Sequence, residues 1–466
     1  MAESTTENSY SYIGIDAAAT VADERQLSRS LRPLHLWALA VGLVISGNYF
    51  GWSYGYGTGG PLGLLIACIP VTIFYATFIL CYSEMATAIP HAGGPSAYAR
   101  RAFGPFLGYL AGFSCLVEFL FAPPAIAIAV GQYVHFMIPS MPAMLATIMA
   151  IAVFVMINMI GMHVSATFEL IVTVIALGGL CVFWSYAIPH FDSASFLHHT
   201  IPNGISGIMA SVPFAIWFYL ALEGGAMAAE EMVDPQRDIP KGFLSGMGTL
   251  FIMMSLTCVL TAGIADYNLV KSVDFPLPIA LAQVFGEKNP VTIFVNFVGL
   301  FGLAASLHGI ILGSSRQLYA MSRSGHLPKF LSVINRKFRT PHWSLLTAGI
   351  ICLFAAITGL TAVVISISVI GSVALYFISL LSFFKLRISA PQLRRPFKVR
   401  YGIIVGTVSM VLCIFCLYSV LFFADYFLAV KWAAVLYALA ILWYFFFSRK
   451  NVRPFEEEFR SSEDPK

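Results

Sequence analysis

Charged side chains are scarce in this sequence: 27 lysines and arginines and 23 aspartates and glutamates in 466 residues, 11% in all. With hydrophobic residues at 58%, that scarcity excludes a soluble fold, which could not cover so much apolar surface with so few charges. The alternation of barrel strands is missing too, which leaves helices as the membrane-spanning element. A disulfide framework is absent, because all eight cysteines lie inside apolar blocks. Cys413 and Cys416 form a CxxC, but its run CIFC reads as hydrophobic packing rather than a metal or redox site. No nucleophile–base pair, phosphate loop or metal-ligand spacing stands out, so neither an enzyme nor a cofactor or metal site is expected. GTGG at 57–60 reads as a helix-end turn, since it lacks the strand–helix context of a nucleotide loop. The first 32 residues have no basic region ahead of a short apolar core, so they read as a cytosolic tail rather than a signal peptide.

What the chain has instead is a series of long apolar blocks. Twelve spans are expected, at 33–58, 62–88, 104–138, 142–160, 163–189, 205–231, 243–266, 290–321, 343–360, 362–387, 402–424 and 430–448. The organisation is a tail (1–32), a ten-helix core (33–387), two further helices (388–448) and a second tail (449–466). PLPIALAQVFG, in the 267–289 connection, is expected to make a short amphipathic helix on the outer surface. Of 27 lysines and arginines, 24 fall on the side of the two tails, and only Lys271, Lys288 and Lys431 lie elsewhere. This asymmetry places both termini in the cytosol and the chain in the cytoplasmic membrane. It also accounts for the net charge of +4 without nucleic acid as a partner. Oligomeric state is left open.

Two spans contain residues that suit a bilayer poorly. The first carries SGNYFG, with Gly47 and Gly51 around Asn48, and the sixth carries Gly224 and Gly225 beside Glu223. Unwinding a helix frees N–H and C=O groups that hydrocarbon cannot satisfy, so breaks are tolerated where a cavity, substrate or ion takes over the hydrogen bonds. Interruptions at matching places in two five-helix halves point to the site of an inverted-repeat transporter. For a single glycine pair, close helix packing is the competing explanation. The backbone and side chains of Ser46, Gly47, Asn48, Tyr49 and Gly51 are therefore candidate substrate contacts.

At these segments the sequence resembles a known family. AIWFYLALEGGAMAAEEMVDPQRDIPKG, SEMATAIPHAGGPSAYARRAFGP and SRQLYAMSRSGHLPKFLSVINRKFRTP resemble signatures of the amino acid–polyamine–organocation superfamily. Within it, VISGNYFGW, VEFLFAPPAIAIAVG, SATFELIVTVIAL and LHGIILGSSRQLYAMSRSGHLP are most similar to bacterial ethanolamine permeases. The resemblance implies two inverted five-helix repeats with broken first and sixth helices, followed by two peripheral helices. It also implies secondary transport of a small amine or amino acid by alternating access, in which ethanolamine is the first candidate. The Asn48 position is often aspartate in that group, and the neutral amide keeps a neutral or zwitterionic amino acid in view. Where many relatives have a lysine in the fifth span this chain has Ala176, so the coupling ion stays open, with a proton favoured over sodium.

Four carboxylates fall within spans, each costly enough to need a reason. Glu84, beside the PHAGG loop, and Glu169, within reach of interfacial water, read as structural. Glu118 lies near the middle of the third span with no basic residue within several turns. A substrate ammonium would answer it; a protonated acid bonded to a neighbouring helix is the plain alternative. Glu223 is either part of a substrate-linked coupling network or a receiver of freed N–H groups. The resemblance makes Trp217 an aromatic cap on bound substrate, against the packing or interface role usual for a membrane tryptophan; Tyr219 and Tyr49 are lesser candidates for cage walls. His308 is a candidate for proton coupling, against the commoner histidine held by helix carbonyls. Glu230, Glu231, Arg237 and Asp238, with Asp234, are expected at an inner gate or as a solvated charge cluster. A transporter-like sensor without flux is the rival class, disfavoured because no signalling domain is seen.

Overall fold

A computed structural model of the chain describes residues 31–91, 93–160, 165–193, 196, 201–423 and 426–453. Among these the regular structure is helical, apart from an isolated parallel bridge between Leu31 and Met232, and turns and extended connections join the helices. The α-helices are α1 (Pro33–Val44), α2 (Ser46–Tyr49), α3 (Ser53–Ala88), α4 (Pro95–Phe103), α5 (Pro105–Met137), α6 (Ala143–Ile160), α7 (Ser165–Ala187) and α8 (Gly204–Trp217). They continue as α9 (Pro235–Ile264), α10 (Tyr267–Val270), α11 (Pro276–Phe285), α12 (Pro290–Arg323), α13 (His342–Ile357), α14 (Thr361–Ser389), α15 (Gly402–Phe422), α16 (Phe427–Trp443) and the short α17 (Arg449–Asn451).

Start signals written in the sequence set many of these boundaries. Proline opens α1, α5, α9, α11 and α12, where its missing N–H costs nothing. Asp234 and Asn289 cap α9 and α12 by accepting from Arg237 N–H (3.3 Å) and Val291 N–H (2.9 Å). Ten of the described helices are long and apolar enough to cross a bilayer. The first and ninth spans fall short, the first because it is broken and the ninth because α13 has 16 residues. The amphipathic helix expected in the 267–289 connection is α11, which buries Leu277, Ala280 and Leu281. The chain is thus a polytopic, all-helical membrane protein.

The packing centres on α3, α5, α8, α12 and α14. Helix α8 lies along α3, α5 is held between α14 and α12, and α9 covers α1 and α3. In α5 and α14, 83% of the most apolar stretch is buried, against 33% in α15 and 22% in the last span. Helices α15 and α16 are therefore peripheral, with apolar side chains such as Phe422 and Leu439 facing outward.

At the end of the bundle rich in arginine, Glu84 holds the 390–401 connection. Its carboxylate accepts from Arg387 Nε (2.9 Å) and from Val399 N–H (2.8 Å), and it pairs with Arg395 (3.3 Å). At the other end, residues 272–274 are tied to the start of α3. Ser272 N–H donates to the Ser53 carbonyl (2.9 Å), and Ser53 Oγ donates to the Val273 carbonyl (2.6 Å). Asp274 accepts from Tyr54 Oη (2.9 Å) and from Thr361 Oγ1 at the start of α14 (3.3 Å).

Candidate substrate site at two helix breaks

The first span departs from helix later than SGNYFG suggests. Ser46–Tyr49 still form a helical turn, and the chain then extends at Phe50 (φ −159°) and turns left-handed at Gly51 (φ 88°). Only glycine adopts that second conformation without strain. The sixth span ends its α-helix at Trp217 and resumes as a 3-10 helix over Leu222–Glu231. Between them Ala221 sits at φ 71°, an unusual conformation for a residue with a Cβ.

The two breaks touch. A Cβ on Gly47 would lie 2.5 Å from the Trp217 carbonyl oxygen, and one on Gly51 would lie 2.4 Å from Trp217 Nε1. Phe50 meets the Trp217 ring edge-on at 5.6 Å. Gly224 and Gly225 also serve packing, since a Cβ on them would fall 2.7 Å from Phe119 and 3.1 Å from Leu36. Close packing thus accounts for these two glycines.

Several buried polar atoms on the broken spans, and on Glu118, lack partners. Both amide atoms of Asn48, Nε1 of Trp217, both carboxylate oxygens of Glu118 and Oε1 of Glu223 have no hydrogen bond among the described residues. Asn48 and Glu118 are fully buried, and Glu223 is 1% exposed. Such groups are normally satisfied, which makes these residues candidates for contact with a bound molecule. Glu118 is not the solitary acid its own helix suggests, because Glu223 is its electrostatic neighbour. Tyr376 Oη donates to Glu223 Oε2 (3.0 Å) and bonds Tyr75 Oη (3.1 Å). No ion pair among the described residues involves Glu118 or Glu223.

The remaining candidates divide. Tyr219 lies by Tyr75, with ring centroids 5.1 Å apart, and bonds Thr72 Oγ1 (2.8 Å). Tyr49 points away, with its hydroxyl on the Ala176 carbonyl (2.6 Å) and its ring against Gly299 and Gly302. Ser46 donates its N–H to Ser306 Oγ (3.0 Å), which in turn donates to the Gly42 carbonyl (2.6 Å). Ser306, Tyr75 and Tyr376 were not among the residues singled out from the sequence. Their signal is weak, a single hydroxyl within an apolar run.

His308 meets Glu169 across α12 and α7, with Nδ1 3.3 Å from Oε2. Glu169 is 1% exposed rather than in reach of interfacial water, because α1 and α12 close over it. Of the gate group, Arg237 is seen through its capped N–H and Asp238 is 9% exposed, while the side chains of Glu230 and Glu231 lie outside the described residues.

Two broken helices in contact, with the unpaired acids Glu118 and Glu223 as neighbours, fit a membrane transporter. Residues 31–446 match the model of the amino acid permease family, and the chain belongs to that family. It is 28% identical to an uncharacterized transporter of Rhizobium meliloti over 94% of this chain and 96% of that one. It is 22% identical to a methylthioribose transporter of Bacillus subtilis, over 94% and 97% of the two chains. A branched-chain amino acid permease of Bacillus subtilis is 21% identical over 94% and 96%.

Proposed function

We propose that the chain imports a small amine, with ethanolamine the first candidate, across the cytoplasmic membrane by alternating access at the two breaks. The carrying observation is the pair Glu118 and Glu223, whose unpartnered oxygens sit beside the breaks without a basic residue in ion-pair contact. An ammonium there gains charge-assisted hydrogen bonds where water is scarce. The Asn48 amide and the Trp217 indole N–H, also unpaired and carried by the broken spans, are the candidates for its hydroxyl or other polar end. The concentration of lysine and arginine on one side supports cytosolic termini.

A neutral or zwitterionic amino acid is the second reading. It is favoured by the family's description, by the relative named for branched-chain amino acids and by the uncharged Asn48. Purified protein in proteoliposomes decides between them. Counterflow of radiolabelled ethanolamine, with no counterflow of leucine, supports the amine; the reverse supports the amino acid. Binding of either in a thermal-shift assay without any counterflow would instead fit a sensor.

A further inference from the structure

We propose that Glu169 and His308 together form a proton-binding site that couples proton entry to movement of the first broken helix. The proposal deepens the transport reading above and rests on it. The two side chains belong to different helices, are 1% and 3% exposed, and meet at 3.3 Å. A buried acid–base pair is an expensive way to join two helices, and apolar residues would do it as well. Packing also leaves a detail unexplained: Glu169 Oε1 has no hydrogen-bond partner.

That oxygen faces α1. A Cβ on Gly42 would lie 2.2 Å from Glu169 Oε1 and 2.6 Å from Thr173 Oγ1. The carboxyl group therefore rests directly on the backbone of the first helix. Ser306, two residues before His308, grips that same helix through the Gly42 carbonyl and the Ser46 N–H. One turn of α12 thus carries both the imidazole and the clasp on the break.

A small cavity lies beside the carboxyl group. It is narrow, about 30 Å³ with room for about one water, and is lined by Glu169, Leu39, Leu43, Gly224, Gly309 and Arg316. It brings residues of both broken spans to the acid. Arg316 is the other charged group on this cavity, and it has interactions of its own. From α6, Asn158 donates to the His308 carbonyl (3.3 Å), and the rings of Phe154 and Phe168 flank the imidazole. Thr173, which meets Gly42 beside Glu169, and Asn158 are both uncharged.

With one proton between them the pair is neutral overall, and with two it carries one positive charge. A second proton arrives on the carboxyl oxygen that faces α1, changing what that oxygen offers the helix from an acceptor to a donor. Release on the other side restores the starting state. One proton is carried per cycle, and no covalent bond other than O–H or N–H forms or breaks.

The test compares two assays in the same proteoliposomes, with radiolabelled ethanolamine and, in parallel, leucine as probes. Counterflow needs no gradient; uphill uptake is driven by an acid exterior. For Glu169→Gln and His308→Gln, uphill uptake should fall at least tenfold more than counterflow does. Equal loss in both assays, in both variants, would reveal a structural role and overturn the proposal. Undiminished uphill uptake in either variant would overturn it too. Should Glu169→Gln not fold, His308→Gln carries the comparison, supported by the pH dependence of ethanolamine binding, which the variant should flatten. Failure of the parent to exchange either probe would overturn the transport reading itself, an outcome distinct from the other two.

Discussion

The carbonyl of Trp217 lies against Gly47, so the break in the sixth span is seated on the turn that precedes the break in the first. A methyl group at residue 47 has no room to move aside, because its nearest neighbour would be backbone 2.5 Å away. Gly47→Ala should therefore separate the two breaks and reduce uptake more than tenfold, with an overpacking cost of about 1–3 kcal/mol. Gly51→Ala adds the strain of a left-handed φ of 88°. Gly178→Ala and Gly248→Ala are the controls, as a Cβ at either meets nothing within 4 Å. They should be neutral or raise thermal stability slightly. Uptake and melting temperature, measured on all four, check the contrast; normal uptake by Gly47→Ala would refute it.

Glu118→Gln preserves shape and removes the charge offered to an ammonium. Losing an ionic hydrogen bond of about 1.5–3 kcal/mol should weaken ethanolamine binding roughly ten- to hundredfold. Glu223→Gln should weaken it similarly, since the two carboxyl groups are neighbours. Equilibrium binding to purified, folded variants is the measurement. Affinity within about twofold of the parent for both would remove the ammonium from this pair.

Asp274 gives the other end of the bundle a dependence on pH. Burial raises its pKa from 3.8 to about 6, against the lowering effect of the Tyr54 and Thr361 hydroxyls. A carboxyl group with a raised native pKa stabilises the folded arrangement fully below its ordinary pKa. That contribution is lost as pH rises toward the native value. The tie to α3 and α14 should thus be strongest below about pH 4 and weaken up to about pH 6, by roughly 3 kcal/mol across the interval. Melting temperatures from pH 4 to 7.5 should show this slope in the parent relative to Asp274→Asn. Parallel curves would rule it out.

Glu84→Ala should destabilise strongly, because Arg387 and Arg395 would keep their charges with no carboxylate between them. Breaking a buried pair in this way costs about 3–5 kcal/mol. Arg387→Lys should recover little, since lysine cannot replace a guanidinium that reaches both Glu84 oxygens. Monodisperse yield in size-exclusion chromatography reads out both variants.

The spans were legible because apolar runs bounded by proline and glycine leave little choice in a bilayer. The run opened by Pro290 ends at Arg323, two residues beyond the expected boundary. The breaks were legible from Gly47, Gly51, Gly224 and Gly225, since glycines beside polar residues are out of place at that depth. Their details were not. The continuation of helix through Tyr49 depends on Ser306 and Tyr133, which hold it from 260 and 84 residues away. The pairing of Glu169 with His308, 139 residues apart, is likewise a product of tertiary packing that local pattern does not contain. Glu118 looked solitary for the same reason, because its neighbour Glu223 is supplied by another span.

The distance in sequence between the first break and its partners bears on biogenesis. Residues 42–49 enter the membrane early, yet Trp217, Gly299, Gly302 and Ser306, which seat them, are made much later. During synthesis the first span therefore has none of the contacts that hold its finished shape. It should insert as a plain helix and acquire its bend when the eighth span arrives, so that a segment made well before its partners matures only with them.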